Sequence, residues 1–204
     1  MIKPLRSILS YGCLLSGLLV MAVSCAPHYS PKPRAYPRVH YPLRGEYQHF
    51  QGTSCPFHFM LPDYYKIVEK KTFFGDKVSS PCWGYNLDLP SLNGTLYLTY
   101  KKLDEDQDLL KLSEEAYRLT YKHARKADYI EPVDIRTSND VFGLLYYVGG
   151  DAASALQFFA TDTTSHFIRG TLNFKTQPNA DSLAPIVHFV SQDLEEMLNS
   201  LTWE

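Results

Sequence analysis

The chain has 204 residues, with 20 Lys and Arg against 22 Asp and Glu and a formal net charge of −2. This balance argues against nucleic acid as a partner, because neutralising phosphates requires a basic surface. The length suits one domain after removal of an export signal and is short for two. Aromatic residues reach 14% of the chain, which favours β-structure because such side chains pack well on a half-buried pleated surface.

Residues 1–24 are typical of a bacterial export signal. Lys3 and Arg6 form a basic start, and the apolar run over residues 8–23 is too short to cross a bilayer comfortably as a permanent helix. The run ends in Ala22-Val23-Ser24-Cys25, which resembles a lipobox, although Leu is usual in the place of Ala22. We therefore predict cleavage before Cys25 and a covalent diacylglycerol on its thiol. An ordinary secretory signal or an uncleaved anchor is the alternative.

Residues 25–46 are predicted to be a lipidated tether. Two or three acyl chains attach a protein stably, since each buried methylene contributes about 0.8 kcal/mol. Five prolines between Pro27 and Pro42 favour polyproline II geometry, a semi-rigid spacer of about 3.1 Å per residue. The interleaved basic residues suit either contact with anionic headgroups or a solvated linker; they are Lys32, Arg34, Arg38 and Arg44.

Residues 47–204 are predicted to form a single globular α+β domain. Leu96, Leu98 and Tyr100 alternate with residues of the opposite face, which indicates a strand, and Asn93-Gly94 is a strong turn signal just before it. A hairpin is therefore expected over 88–101. Strand-like runs lie at 57–60, 65–69, 83–89, 95–101, 129–135, 141–148, 156–161 and 166–175.

Two helices are predicted to cover the sheet. The first spans 104–127, with acidic residues at its start and basic residues at its end, as the helix dipole favours. The second spans 182–201, with a continuous apolar face and Pro185 in the first turn. Short polar connections between the last four strands favour an antiparallel meander. The expected fold is an antiparallel sheet covered by two helices, similar to the PsbP/Mog1 sandwich.

Two cysteines remain once Cys13 is lost with the signal and Cys25 carries lipid. Cys55 and Cys82 lie in a compartment that permits disulfides, and we predict a bond between them. It would close a loop of about 28 residues and stabilise the domain by about 3.5 kcal/mol in the chain-entropy description. The alternative is a pair of buried free thiols.

No catalytic or metal-binding motif is evident. Asp162, Ser165 and His166 have the residue types of a hydrolytic triad, but neighbours on one turn cannot easily form its chain of hydrogen bonds, so a capped turn is predicted. Gly149-Gly150 lacks the lysine and helix start of a phosphate loop and is predicted to be a turn. We predict no metal and no cofactor besides the lipid, because no tight ligand cluster occurs among His28, His40, His49, His58, His123, His166 and His188.

Several segments together carry a family resemblance. They are Cys55-Pro56-Phe57, Pro81-Cys82-Trp83, Gly94 to Tyr100, Val148 to Ser154, Gln157 to Asp162 and Leu201 to Glu204. The resemblance as a whole runs from about Tyr36 to the C terminus and includes the Lys32-Pro33-Arg34 tether. With these segments the chain resembles the gliding-motility lipoprotein GldD family of Bacteroidetes, which implies an envelope lipoprotein that supports gliding and the associated type IX secretion system, without established enzymatic activity.

The resemblance and the loops suggest where a protein partner binds. We predict an anchored interaction module that contacts components of the motility and secretion complex. Loops carry binding and a surface aromatic can anchor a partner, so the candidate contacts are Trp83, Gly149, Gly150, Asp151 and Ser154. The structural alternatives are a disulfide packed on a core Trp and a hairpin turn.

Location follows from the residues after Cys25. In the phylum of this family, an acidic cluster at that place often directs lipoproteins to the cell surface, and none is present here. A periplasm-facing orientation is therefore expected. A periplasmic glycan- or lipid-binding module is an alternative, whereas an envelope hydrolase would need convergent titratable groups that the sequence does not indicate.

Overall fold

A seven-stranded antiparallel sheet lies at the centre of the fold. The computed structural model describes residues 38–52, 54–70, 72–73, 76–77, 82–104 and 108–204. The predicted export signal, Cys25 and most of the predicted tether lie outside these residues. Residues 37–204 form one compact unit.

The described residues contain twelve strands and two α-helices. The first strands are β1 (Tyr47–Gln51), β2 (Phe57–Pro62), β3 (Lys66–Glu69), β4 (Thr72–Phe73), β5 (Asp76–Lys77), β6 (Gly84–Leu89) and β7 (Gly94–Lys102). Helix α1 (Leu109–Tyr121) follows. The remaining elements are β8 (Ala127–Arg136), β9 (Phe142–Gly150), β10 (Ser154–Thr161), β11 (His166–Phe174), helix α2 (Ala180–Ser200) and β12 (Thr202–Trp203).

The large sheet has the order β3-β6-β7-β11-β10-β9-β8, and all its pairs are antiparallel. Strands β8 to β11 follow one another as a meander, and β11 then pairs with β7. A smaller sheet has the order β1-β2-β12, and β4 and β5 form a short hairpin. The predicted α+β fold, with an antiparallel sheet and two helices, is confirmed.

The predicted hairpin is formed by β6 and β7. Leu89 pairs with Gly94 across the connection, which consists of a 3-10 turn at Pro90–Leu92 and Asn93 in the left-handed conformation, at φ 50°. Asparagine tolerates this conformation better than most residues. Beside the turn, Thr95 Oγ1 donates a hydrogen bond of 2.6 Å to Asp88 Oδ1.

Helix α1 is shorter than predicted at both ends. Asp108 has extended backbone angles and accepts a hydrogen bond from the backbone N–H of Lys111, so it caps a helix that begins at Leu109. After Tyr121 the chain tightens into a 3-10 turn at Lys122–Arg125. Asp108, the last of the acidic residues before Leu109, is therefore the N-cap of the helix.

Helix α2 begins two residues earlier than predicted. Asn179 accepts a hydrogen bond from the backbone N–H of Ser182 and caps the helix. Pro185 consequently lies in the second turn, and its placement in the first turn was wrong. It is exposed, so its ring lies away from the core.

Strands β1 and β12 were not predicted. Each is short, and both obtain their backbone partners from β2: Phe50 pairs with Phe59, and Trp203 with Phe57. The side chain of Ser200, the last residue of α2, accepts a hydrogen bond of 2.9 Å from the N–H of Met60. This smaller sheet therefore packs with α2 as one layer.

The two helices lie on opposite faces of the large sheet. Along β10, Leu156 and Phe158 belong to the larger buried cluster, which also contains Leu194 of α2. Phe159 points the other way, into a smaller cluster with Leu112 of α1. Such alternation is the consequence of the two-residue period of a strand.

Candidate functional site

The connection between β9 and β10 contains the predicted contact loop. A side chain at Gly149 would overlap the ring of Tyr129, and one at Gly150 would clash with the backbone of β8. Gly150 also has a φ of +88°, which favours glycine. The two glycines are the last residues of β9, where they let β8 approach closely, so the prediction that they form the turn was wrong: the turn begins at Asp151.

The rest of the loop divides into exposed and buried parts. Asp151 is exposed, and its Oδ1 accepts a 3.3 Å hydrogen bond from the N–H of Ala180, the first residue of α2. This bond joins the loop to the start of the helix. Ser154 is fully buried, and its hydroxyl donates to the carbonyl of Leu156. Ser154 cannot contact a partner, so its inclusion in the predicted surface was wrong.

A cleft of about 420 Å³ lies between this loop and the N-terminal half of α2. Its walls are largely apolar and small, and Asp128 and Asp181 stand at its rim, where both are exposed. We call it the loop cleft. The sequence identified only its glycines; the other wall residues include Tyr129, Tyr147, Leu183, Ala184, Val187 and His188.

A disulfide joins Cys55 to Cys82, with the two Cα atoms 5.2 Å apart. Both residues are buried, and the hydroxyl of Tyr85 lies 3.2 Å from Cys55 Sγ. The bond connects the segment before β2 to the segment before β6. It therefore links the smaller sheet to the larger one.

Trp83 follows the disulfide and is half-buried. It lines a second groove, of about 410 Å³, between α1 and strands β7 and β11. Because α1 lies on the opposite face of the sheet from α2, Trp83 is separated from the loop cleft. The two predicted contact surfaces therefore do not form one site.

A buried carboxylate on α2 forms a cluster that was not predicted. Asp193 is 1% exposed, and its Oδ1 accepts a 3.0 Å bond from Arg44 Nε. Its Oδ2 accepts hydrogen bonds from the hydroxyls of Tyr64 and Tyr65. Burial, followed by the nearby Asp193 carboxylate, raises the pKa of Tyr65 well above its usual value. The one sequence signal was an acidic residue within the apolar face of the second helix.

Arg44 contacts α2 at three further places. Its Nη1 donates to Gln192 Oε1 at 2.6 Å, its Nη2 donates to the Phe189 carbonyl at 2.7 Å, and its guanidinium carbon lies 4.3 Å from the centre of the Phe189 ring. The Tyr41 ring also packs on Phe189, at 4.9 Å. Burial opposes the charge, but the Asp193 carboxylate raises the pKa of Arg44 overall. The end of the predicted tether is thus bound to the domain.

Asp162, Ser165 and His166 form a capped turn, and they do not form a triad. The Asp162 carboxylate accepts backbone N–H bonds from Thr164, Ser165 and His166. Burial alone would raise the pKa of Asp162, yet these hydrogen bonds lower it. His166 Nδ1 instead lies 2.9 Å from the hydroxyl of Tyr100.

Two further properties concern the described residues only. They contain no group of three His, Cys, Asp or Glu side chains placed to hold a metal ion. No helix among them is long and apolar enough to span a membrane.

The described domain is an α+β sandwich in which the sheet separates two clefts, one against each helix. The chain belongs to the gliding motility lipoprotein GldD family, whose sequence model matches residues 26–203. Membership indicates a lipid-anchored protein of the cell envelope associated with gliding motility.

Comparison with solved structures finds a cyanobacterial PsbP from Synechocystis, determined in solution. The two chains are 14% identical with a TM-score of 0.46, and the match covers 86% of this chain and all of the other. A search of curated proteins returned no match.

Proposed function

We propose that the protein is a periplasm-facing, membrane-anchored interaction component of the gliding-motility machinery and its associated type IX secretion system. The observation that carries this proposal is the family match over residues 26–203, which begins directly after Cys25. A lipid on Cys25 would hold the domain at the membrane, and the absence of acidic residues just after Cys25 supports the periplasmic orientation.

The loop cleft is the surface at which we place the protein partner. Its volume of about 420 Å³ lies within the range of about 300–1,000 Å³ that is usual for binding pockets. Ala184 is small and exposed in the cleft wall, so it leaves room for an inserted side chain, as occurs at interface hot spots. Asp128 at the rim is exposed and favours a partner segment in which a basic residue lies next to an apolar anchor.

Site-specific crosslinking in the native host tests this placement. A photoreactive amino acid replaces Ala184 in the loop cleft of the full-length lipoprotein, and the matched control carries it at Leu110, which is 67% exposed on α1. The proposal predicts that position 184 captures a component of the motility or secretion machinery and that position 110 does not. Equal capture from both positions would contradict the loop cleft as the contact surface.

The orientation is tested separately by protease treatment of intact cells. A periplasm-facing domain should resist digestion until the outer membrane is permeabilised. Efficient digestion of intact cells would show that the domain faces outward.

A further inference from the structure

The groove on the opposite face of the sheet has a chemistry that the proposed function does not use. It holds about 410 Å³ between α1 and the strands β7 and β11. We call it the Trp83 groove. Its wall includes the aromatic, polar and charged residues Trp83, Thr99, Lys101, Glu115, Phe167 and Arg169.

Arg169 provides positive charge with unused hydrogen-bonding capacity. Its Nη2 donates a 2.9 Å hydrogen bond to Gln157 Oε1. Among the described residues, this is the one side-chain hydrogen bond that the guanidinium makes. A guanidinium has five N–H donors in a fork that matches a carboxylate. Burial lowers the pKa of Arg169, although Glu115 opposes this effect. The charged group is thus held partly desolvated in the groove wall.

Gln157 fixes the position of this guanidinium. It is 1% exposed, and its Oε1 also accepts a 3.3 Å bond from Thr120 Oγ1 of α1. Its Nε2 is buried and has no hydrogen-bond partner. An unpartnered buried amide costs stability, and the hydrogen bonds that its Oε1 accepts from Arg169 and Thr120 offset part of that cost.

The charges in the groove favour a ligand with one negative charge. Lys101 Nζ lies 3.1 Å from Glu115 Oε2, and this ion pair is partly exposed. The pair is neutral overall, so the single positive charge of Arg169 remains. A carboxylate matches that charge and the guanidinium fork, whereas a phosphate monoester carries more charge than the groove balances.

The surrounding groups favour a sugar over an extended peptide. The half-buried Trp83 provides aromatic surface, while Thr99, Glu115 and Lys101 provide hydrogen-bonding partners for hydroxyl groups. Peptides commonly bind by adding a strand to a free sheet edge. Here β7 already pairs with β6 and β11, and β11 pairs with β7 and β10, so the groove floor offers no free edge.

We propose that the Trp83 groove binds a carboxylated sugar unit of an acidic glycan. Arg169 pairs with the sugar carboxylate, Trp83 contacts the ring, and Glu115 accepts hydrogen bonds from its hydroxyls. This glycan binding is independent of the partner contact at the loop cleft, because the two sites lie on opposite faces of the sheet.

Tryptophan fluorescence of the full chain in detergent measures the binding. The probes are oligogalacturonate and, as the neutral match, galacto-oligosaccharide of equal length. The chain has 2 Trp, so the Trp83→Phe variant reports whether the signal arises in the groove. Oligogalacturonate should change the fluorescence of the wild type, the neutral sugar should bind at least about tenfold more weakly, and Trp83→Phe should abolish the signal.

Two substitutions test the role of the guanidinium. Arg169→Lys keeps the charge and removes the fork, and should weaken oligogalacturonate binding at least about tenfold. Arg118→Lys makes the same exchange on the exposed side of α1 and should leave binding unchanged. Thermal melting of each variant verifies that it is folded, and isothermal titration supplies an affinity that does not depend on Trp83.

Four results would overturn the proposal. They are no binding of oligogalacturonate at up to about 10 mM, equal binding of the neutral sugar, unchanged affinity in folded Arg169→Lys, and tighter binding of an acidic peptide or inorganic phosphate. Loss of the crosslink at position 184 would not affect this inference, so the two proposals can fail separately.

Discussion

Asp193 shows at the scale of a single residue how the fold accommodates a charge in its core. A buried carboxylate is costly unless it is paired and hydrogen-bonded. One guanidinium and two phenol hydroxyls meet that requirement here. Arg44 is 149 positions away in sequence, so neither periodicity nor a local motif could predict which residue pairs with the acid.

Replacing the carboxylate should therefore destabilise the domain. Asp193→Ala leaves Arg44 and two hydroxyls without their acceptor, and we expect the free energy of unfolding to fall by about 2–3 kcal/mol, below the value for fully buried pairs because Arg44 is 34% exposed. Urea unfolding of the full chain measures the loss. Glu196→Ala, on the exposed side of the same helix, is the control and should change stability little.

The contribution of Asp162 to the stability of the domain should depend on pH. Its pKa is lowered in the folded state, so its contribution is present above the unfolded pKa and is lost as the pH falls through the folded pKa. At about pH 7, Asp162→Ala should cost about 1 kcal/mol, as for other carboxylate caps. The difference in melting temperature from wild type should shrink towards about pH 3.

A suitable comparison is Asp134→Ala on the exposed face of β8, which should show no such change. A constant difference between Asp162→Ala and the wild type at every pH would contradict the assigned role of the Asp162 carboxylate.

The strands and helices that were predicted correctly are those with a strong local sequence signal. The alternation at Leu96, Leu98 and Tyr100 and the Asn93-Gly94 turn placed β6 and β7 correctly, and polar turns identified the meander. The predicted ends of α1 and α2 differ from the observed ends. For α1, several acidic residues before Leu109 compete as the N-cap, and the sequence alone does not show which of them has extended backbone angles. Strands β1 and β12 escaped prediction because pairing with β2, and not their own pattern, defines them.

The disulfide joins two of these elements and should contribute much of the domain's stability. Removing it with Cys55→Ala/Cys82→Ala releases a loop with a sequence separation of 27 residues, for which the chain-entropy description gives about 3.5 kcal/mol. Chemical unfolding of the full-length variants measures this value.

The single variants separate the bond from the packing of the thiols. If the bond carries the stability, Cys55→Ala, Cys82→Ala and the double variant should lose similar amounts, because none of them contains the bond. Losses that add from one single variant to the other would instead indicate two independently packed side chains.

For the whole molecule, composition and pattern predicted the fold class, the resemblance of several segments indicated the family, and only part of the loop cleft was located. The glycines of the contact loop were found because turn residues are visible in sequence. The helix wall that completes the loop cleft, with Ala184 and Val187, was missed because it lies far along the chain from Gly149 and Gly150 and comes close only in the folded state. Trp83 was recognised, but it faces a different groove.

Membrane attachment of the whole protein is predicted to depend on Cys25. Cys25→Ser removes the thiol that we expect to carry the lipid, so the variant should leave the membrane fraction and lose activity in gliding or secretion assays. Ser30→Ala, beyond the lipobox, is the matched control and should fractionate like the wild type. Retention of Cys25→Ser in membranes with full activity would contradict lipid anchoring at this residue.

The contacts between the segment before β1 and α2 would also decide where mechanical load enters a domain anchored through Cys25. Tension drawn along the chain from Cys25 would reach Tyr41 and Arg44 before β1, and would meet an ion pair, two further hydrogen bonds and two aromatic contacts with Phe189 of α2. Force would therefore be delivered to that helix, and the short first strand would be shielded from being peeled off the smaller sheet.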